Sequence, residues 1–341
     1  MTGYHVAIVG ATGAVGHELL KILAERNFPV ERLTLLASER SEGKTIQWQG
    51  REYQVHQTTE HSFAGVDIAL FAGGSAALTY GPPAVKAGAV VIDNSSNFRY
   101  DPQVPLVVPE VNPEDVRWHK GIIANPNCST IQMVVALKPL HDAAKIKKII
   151  VSTYQAVSGA GLPGLRELQT QTEQICRGEQ VTPSAFPYQI AFNVIPNIDV
   201  LLDNGYYKEE MKMVWETRKM FHDEDIKVSA TAVRVPVYRS HSEAITIETE
   251  RPLSPEQARE ILSAAENVVV VDDPANKKYP MPLYCSDTDQ VYVGRIRKDL
   301  VFDNGLSLWV VADQIRKGAA TNAVQIAELL VRENMLGANR G

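Results

Sequence analysis

At 341 residues the chain exceeds what one small core fills and calls for two domains. Its 45% hydrophobic and 22% charged residues are those of an ordinary globular protein, and a formal net charge of -6 excludes a polycationic surface for nucleic acid. Cys128, Cys176 and Cys285 stand far apart, with no paired or histidine-linked ligand spacing, and no stretch approaches ~18 apolar residues; a disulfide framework, a metal site and a membrane span are excluded, and a cytoplasmic protein without a leader is expected.

The first elements are those of a nucleotide-binding unit. Tyr4-His5-Val6-Ala7-Ile8-Val9 reads as a short buried strand, and a helix over 18–25 carries Leu19, Leu20, Ile22 and Leu23. Between them stands Gly10-Ala11-Thr12-Gly13-Ala14-Val15-Gly16. Strand, glycine-rich turn and helix form the setting of a Rossmann phosphate loop, in which the backbone approaches a pyrophosphate at the helix N-terminus. The spacing is G-x-x-G-x-x-G rather than G-x-G-x-x-G, and the alternative is a plain βα turn. The second strand, 32–37, ends in Ser38-Glu39-Arg40-Ser41. An acid here takes a ribose 2′-hydroxyl, whereas an arginine accommodates a 2′-phosphate. Ser38, Arg40 and Ser41 therefore favour NADP, and Glu39 is the contrary sign unless it points outward.

Residues 43–57 form a hairpin that turns at Gln49-Gly50. A strand over 66–71 ends in Ala72-Gly73-Gly74-Ser75, a turn small enough to lie against a cofactor, and a helix over 76–87 follows. The strand over 89–92 ends in Asp93-Asn94-Ser95-Ser96-Asn97-Phe98-Arg99. Ligands gather at the carboxyl ends of strands in open α/β sheets. Arg99 is the strong anion binder of this loop, or else simply a solvated arginine.

Asn125-Pro126-Asn127-Cys128-Ser129-Thr130 precedes the apolar run from Ile131 to Leu137. Pro126 disfavours helix at the residue before it, and Asn127 is a competent N-cap, so Cys128 falls on the first helical turn. A thiol there meets the positive end of the helix macrodipole, which favours the thiolate. A buried structural cysteine is the plain alternative. A strand over 149–157 leads to a second glycine-rich turn, Ser158-Gly159-Ala160-Gly161. Gln155 in that strand either orients a carbonyl or a water, or serves the backbone.

In a helix over 206–221, Met211, Val214 and Trp215 make the packed face. Glu216 and Lys219, three apart, are either a surface ion pair or a reader of a zwitterionic substrate. A strand over 228–235 puts Arg234 on the parity of Val228, Ala230 and Ala232; a second puts His241 and Glu243 on that of Ile245 and Ile247. Pro236 between them blocks any inference that Arg234 and His241 share a face. An inward arginine needs an anion, either a structural carboxylate or a substrate. His241 is the histidine best placed as acid or base, a core histidine being the alternative. Ser254-Pro255-Glu256-Gln257 opens a helix, 291–296 and 306–311 read as closing strands of a large sheet, and a last helix covers 320–334.

Together these stretches closely resemble the aspartate-semialdehyde dehydrogenase family over essentially the whole chain. The resemblance rests on Gly10 to Gly16, Asn94-Ser95-Ser96-Asn97-Phe98-Arg99, Val107-Val108-Pro109-Glu110-Val111-Asn112 and Asn125 to Thr130. It continues in Gln155 to Gly161, Arg234-Val235-Pro236-Val237, His241-Ser242-Glu243 and Gly318-Ala319-Ala320-Thr321-Asn322-Ala323. It implies an α/β fold with an N-terminal Rossmann-like dinucleotide-binding domain, residues 1–127, completed by a C-terminal helix at 320–341. An α+β catalytic and dimerisation domain with a large mixed sheet would span 128–319.

The implied reaction is NADPH-dependent reductive dephosphorylation of L-aspartyl 4-phosphate to L-aspartate 4-semialdehyde through a cysteine thioester. It serves the synthesis of lysine, threonine, methionine and, in many bacteria, diaminopimelate. Cys128 is the implied nucleophile, His241 the acid/base and Gln155 the orienting group. Arg99 and Lys219 bind phosphate, Arg234 the α-carboxylate and Glu216 the α-ammonium, with Asn127 also at the substrate. Cofactor contacts are implied at Gly10, Thr12, Gly13, Ala14, Val15, Gly16, Ser38, Arg40, Ser41, Gly73, Ser75, Ser95, Ser158, Gly159, Gly161 and Asn322, and no metal is implied. The assembly would be a homodimer, with tetramers in some members. A related N-acetyl-γ-glutamyl-phosphate reductase would typically show Pro-Gly-Cys where this chain has Pro126-Asn127-Cys128. A non-catalytic NADP-binding sensor predicts a missing nucleophile or base, and both Cys128 and His241 are present.

Overall fold

A computed structural model describes residues 3–336. The chain divides into two compact units, one reaching to Asn127 and resuming at Ala319, the other running from Cys128 to Gly318. Elements are numbered in chain order. The first unit holds β1 (Tyr4–Val9), α1 (Ala14–Glu25), β2 (Val30–Ala37), β3 (Thr45–Trp48), β4 (Arg51–Gln57), β5 (Ile68–Phe71), α2 (Ala76–Lys86), β6 (Val90–Asp93) and β7 (Ile122–Ala124). The second holds α3 (Cys128–Ala144), β8 (Ile146–Gln155), α4 (Gly161–Cys176), α5 (Lys208–Phe221), β9 (Lys227–Arg234), β10 (His241–Thr249), α6 (Pro255–Ser263), β11 (Val268–Val270), α7 (Pro282–Cys285), β12 (Val291–Lys298) and β13 (Gly305–Ala312). Helix α8 (Thr321–Arg332) belongs to the first unit.

The first unit is a doubly covered sheet of order β3-β4-β2-β1-β5-β6-β7, parallel throughout except for the β3–β4 hairpin. Alternate residues of β1 serve opposite faces, as a strand requires. Val6 and Ile8 meet Leu19 and Leu23 of α1 and Val324 and Leu330 of α8, while Ala7 and Val9 join Phe63, Phe71 and Ala77 on the other side. The hairpin turns at Gln49 and Gly50, both at positive φ (47° and 74°), the geometry of a tight hairpin turn. Helix α1 starts at Ala14, earlier than the expected 18, because Gly13 stays extended as its N-cap and Ala14 and Val15 enter the first turn. The last helix is preceded by a π-helical turn, Arg316–Ala320, and ends at Arg332 rather than 334. The expected helical residues 337–341 lie outside the described residues.

The second unit carries a six-stranded mixed sheet of order β11-β12-β13-β10-β8-β9, in which β8–β9 and β11–β12 are parallel and the other neighbours antiparallel. Every residue of α3 from Ser129 to Leu137 is buried, the apolar run from Met133 to Leu137 together with the polar Ser129, Thr130 and Gln132. Helix α4 had no counterpart in the sequence reading. Its buried positions are Gly164, Glu167, Leu168 and Gln171, a stripe too polar for hydrophobic periodicity to reveal. The expected packed face of α5 is corrected: Met213, Val214, Glu216, Thr217 and Met220 are buried, while Trp215 is 37% exposed. Polar residues carry much of that face, so the apolar stripe misplaced it. The strand expected to reach 157 ends at Gln155, and a 3₁₀ turn, Val157–Ala160, takes over. Among the described residues no helix is long and apolar enough to cross a membrane.

Candidate active site

Cys128 is the first residue of α3, directly after the buried Asn127, and is itself half-buried. The π-helical turn closes on it: a side chain at Gly318 would meet Cys128 Cβ at 2.9 Å. Asp313, fully buried, shapes this turn by accepting from the N–H groups of Ile315 (2.9 Å) and Arg316 (3.2 Å) and pairing with Arg239 (2.6 Å).

The strand register brings three further groups together. Gln155 ends β8 and pairs with Arg234 at the end of the parallel β9, while β10 runs antiparallel to β8 with Ser242 opposite Tyr154. Gln155 Nε2 donates to Ser129 Oγ (2.9 Å) and Glu209 Oε1 (3.3 Å). Arg234 Nη1 donates to the Ala156 carbonyl (2.7 Å), and its guanidinium lies 5.9 Å from the Phe186 ring centroid. Burial lowers the Arg234 pKa, opposed by the charges of Glu209 and Cys128.

His241 is wholly buried at the start of β10. The Ala156 N–H donates to its Nδ1 (3.0 Å), so the neutral ring keeps its proton on Nε2, which has no hydrogen-bond partner among the described residues. Burial, helped by the Arg234 charge and opposed by Glu209, lowers its pKa to about 3. Gly159 sits over both residues: a Cβ there would lie 2.7 Å from Arg234 Nη1 and 3.5 Å from His241 Nε2. Arg234 and His241, which the sequence left unrelated across Pro236, thus converge. Beside Gly159, Ser158 accepts from Gln314 Nε2, and Gln314 Oε1 accepts from the Ser240 N–H (2.8 Å). Gly161, at φ 73°, opens α4.

Glu216 is fully buried and Lys219, one turn on, is half-buried. Glu216 is therefore not a solvated surface acid. Glu209 was missed by the sequence reading, because an acid in the first turn of a helix has an ordinary explanation in the helix dipole. It is buried between Gln155 and Lys212, whose Nζ lies 2.9 Å from Glu209 Oε2.

In the first unit the candidate cofactor residues fall at the carboxyl ends of adjacent strands β2, β1, β5 and β6. Gly10 takes φ 86°, and a Cβ on Gly16 would meet Gly10 O at 2.3 Å, so α1 can approach the loop only with glycine there. Thr12 Oγ1 lies 3.3 Å from Ser41 Oγ, joining the loop to the 3₁₀ turn Glu39–Ser41. Ser38, Glu39 and Arg40 are exposed, and Lys44 Nζ donates to Ser41 Oγ (3.4 Å), a cation the sequence reading left out. Gly73 (φ 141°) and Ser75 follow β5. Ser95 donates through Oγ to Asp93 Oδ2 (2.6 Å). Arg99 is buried rather than solvated, and its Nη2 donates to the Asn94 carbonyl (2.8 Å). Asn322 is fully buried in α8; its Nδ2 donates to Val107 O (3.0 Å) and Asn125 Oδ1 (2.6 Å).

Comparison with known proteins agrees with this geometry. The family model described as semialdehyde dehydrogenase, NAD binding domain, matches residues 5–119, and the one described as semialdehyde dehydrogenase, dimerisation domain, matches residues 137–317. The aspartate-semialdehyde dehydrogenase of Aquifex aeolicus is 62% identical, covering 98% of this chain and all of its own. A crystal structure of aspartate semialdehyde dehydrogenase II from Vibrio cholerae, complexed with ASA, superposes with a TM-score of 0.95 at 52% identity over 98% of this chain and 99% of that one. The Candida albicans enzyme with NADP superposes with a TM-score of 0.77 at 27% identity over 98% of this chain and 99% of that one. With the two family models matching most of both units and a 62% identical relative covering 98% of the chain, the chain belongs to the aspartate-semialdehyde dehydrogenase family.

Proposed function

We propose that this protein catalyses the NADPH-dependent reductive dephosphorylation of L-aspartyl 4-phosphate to L-aspartate 4-semialdehyde, with Cys128 as nucleophile. The observation that carries the proposal is the convergence of a helix-start thiol, a buried imidazole with its proton on Nε2, and a buried arginine at one end of a sheet. A thiolate is stabilised at the positive end of α3. It adds to the C4 carbonyl, the bond to the phosphate oxygen breaks, and phosphate leaves with the electron pair, giving a thioester. We assign Arg99 and Lys219 to the phosphate, Arg234 to the α-carboxylate and Glu216 to the α-ammonium, with Asn127 also at the substrate. A buried acid at Glu216 suits a free ammonium and disfavours an acylated amine.

The glycine loop fits a dinucleotide, since its crowding at Gly16 brings the N-terminus of α1 against the loop backbone. NADPH, when bound, supplies hydride to the thioester carbon. Gly10 to Gly16 would hold it with Ser38, Arg40 and Ser41, aided by Gly73, Ser75, Ser95, Ser158, Gly159, Gly161 and Asn322. Exposed Arg40, with Lys44 beside Ser41, suits a 2′-phosphate and outweighs the single charge of Glu39. His241, assigned as the acid/base, holds its Nε2–H as a hydrogen-bond donor against the substrate oxygen as charge builds there, and that oxygen re-forms the carbonyl when the C–S bond breaks and the aldehyde leaves. Gln155 holds the carbonyl in line. The first unit with α8 would be the NADP-binding domain and the second the catalytic and dimerisation domain. A homodimer, or a tetramer of such dimers, is the proposed assembly, and free thiols at Cys128, Cys176 and Cys285 suit the cytoplasm.

The test is reduction of NADP by the purified protein with L-aspartate semialdehyde and phosphate. Turnover should require phosphate and vanish in Cys128→Ala; turnover without phosphate, or persisting in that variant, overturns the mechanism.

A further inference from the structure

Glu243 is wholly buried on β10, two residues from His241 and on the same inward parity. Across it stand Thr153 of β8 and Val310 of β13. Gln132, one turn along α3 from Cys128, completes the group and lowers the Glu243 pKa against the effect of burial. Gln132 Oε1, Thr153 Oγ1 and both carboxyl oxygens of Glu243 are buried and make no hydrogen bond as placed, while Gln132 Nε2 donates to the His241 carbonyl (3.4 Å). An ionised Glu243 would be a buried charge facing no cation among the described residues, with only the Thr153 hydroxyl and the second Nε2 hydrogen of Gln132 to donate to it, and would leave Gln132 Oε1 with no donor. A neutral acid adds the missing donor, and small side-chain rotations then satisfy the group.

We propose that Glu243 is a neutral carboxylic acid that donates to Gln132 Oε1 and accepts from the Thr153 hydroxyl, a positioning residue tying the helix of Cys128 to the strands of Gln155 and His241. Burial acts in the same direction, raising its pKa well above the usual carboxylate range. Among the described residues the elements packed on it turn Gln132 (α3), Thr153 (β8) and Val310 (β13) toward it, and His241 on its own strand is neutral. The inference rests on the roles proposed above for Cys128, Gln155 and His241, but its main test does not use activity.

That test compares wild type with Glu243→Gln, which keeps a donor and an acceptor, in urea unfolding of the full chain between pH 5 and 8. The unfolded carboxyl ionises above about pH 4.3 and the folded one does not. Wild-type stability from this group is therefore lost as pH rises, and its unfolding constant should grow relative to that of Glu243→Gln by about tenfold per pH unit. An infrared band of a protonated carboxyl should be present in wild type and absent from Glu243→Gln. In the phosphate-dependent assay Glu243→Gln should retain most of kcat, while Glu243→Leu should lose up to about 100-fold with little change in KM, as slight misplacement of reacting groups does. A pH-independent stability ratio overturns the neutral acid, and equal kcat losses in the two variants overturn the positioning role. Should Glu243→Leu fail to fold, the pH ratio and the infrared band decide. An inactive wild type with the expected pH ratio would sink the proposed reaction and leave the neutral acid standing.

Discussion

His241 shows how one backbone hydrogen bond sets the chemistry of a side chain. With Nδ1 occupied by the Ala156 N–H, the ring is a donor through Nε2 in its resting state, and burial keeps it neutral. Its pKa of about 3 in the fold, against an ordinary 6.5, has a consequence for stability. The unfolded imidazole takes up a proton below about pH 6.5 and the folded one does not, so the contribution is present above that pH and is lost as pH falls toward 3. His241→Asn keeps an acceptor for Ala156 and removes the titration. Between pH 6 and 4, wild type should lose about 1.4 kcal/mol per pH unit relative to His241→Asn in urea unfolding. Parallel curves would mean that the ring titrates normally. The same variant should lower kcat about 10²–10⁴-fold, the usual worth of a positioned acid or base.

At the scale of elements, the glycine loop separates two jobs that the motif merges. A Cβ on Gly16 would strike the Gly10 carbonyl at 2.3 Å and Ala11 Cα at 2.7 Å, both rigid backbone, whereas one on Gly13 meets only Gly10 O at 3.4 Å. Gly16→Ala should therefore cost about 1–3 kcal/mol in urea unfolding, the price of overpacking. Gly13→Ala should unfold within about 0.5 kcal/mol of wild type yet bind NADP more weakly in a fluorescence titration, because its methyl stands where the pyrophosphate approaches. Equal stability losses would refute the division of roles. This loop was legible because strand alternation, glycine spacing and an apolar helix stripe are all local signals. So were the inward parities of Arg234, His241 and Glu243. What they meet was not: Arg234 and His241 converge beneath Gly159 only because Ser240, at φ 71°, turns the chain into β10 after Pro236 has broken the alternation. Glu209 hid, and the burial of the candidate Glu216 was not legible, for a related reason. An acid on a helix is ordinarily a solvated one, and only the packing of α5 against β9 and α3 buries them.

For the whole molecule, the sheet of the second unit leaves a question of cover. Residues of β8 alternate, with Gln155 inward beside the candidate site and Tyr154 and Ile150 outward at 40% and 48% exposure. Tyr154 packs against Trp309 with ring centroids 5.4 Å apart, and nearby a hollow of about 410 Å³ is lined by Pro280, Met281, Leu308 and Trp309, with Arg295 and Arg297 also on its wall. An aromatic, aliphatic patch of this kind is what the centre of a stable interface uses. The homodimer proposed above would bury it, and two-fold symmetry would make each copy present the same strands. Replacing Ile150 and Tyr154 together by Arg would then place unpaired charges at the centre of the interface twice over. The dimer should weaken by about a hundredfold or more, seen as monomer by sedimentation at micromolar protein, with far-UV circular dichroism unchanged. Activity should fall with dissociation, because the strand that carries Tyr154 outward ends in Gln155 inward and loses its support on one side. A variant that sediments as wild type would remove this face from the interface, and a monomer with full kcat would show that Gln155 does not depend on it.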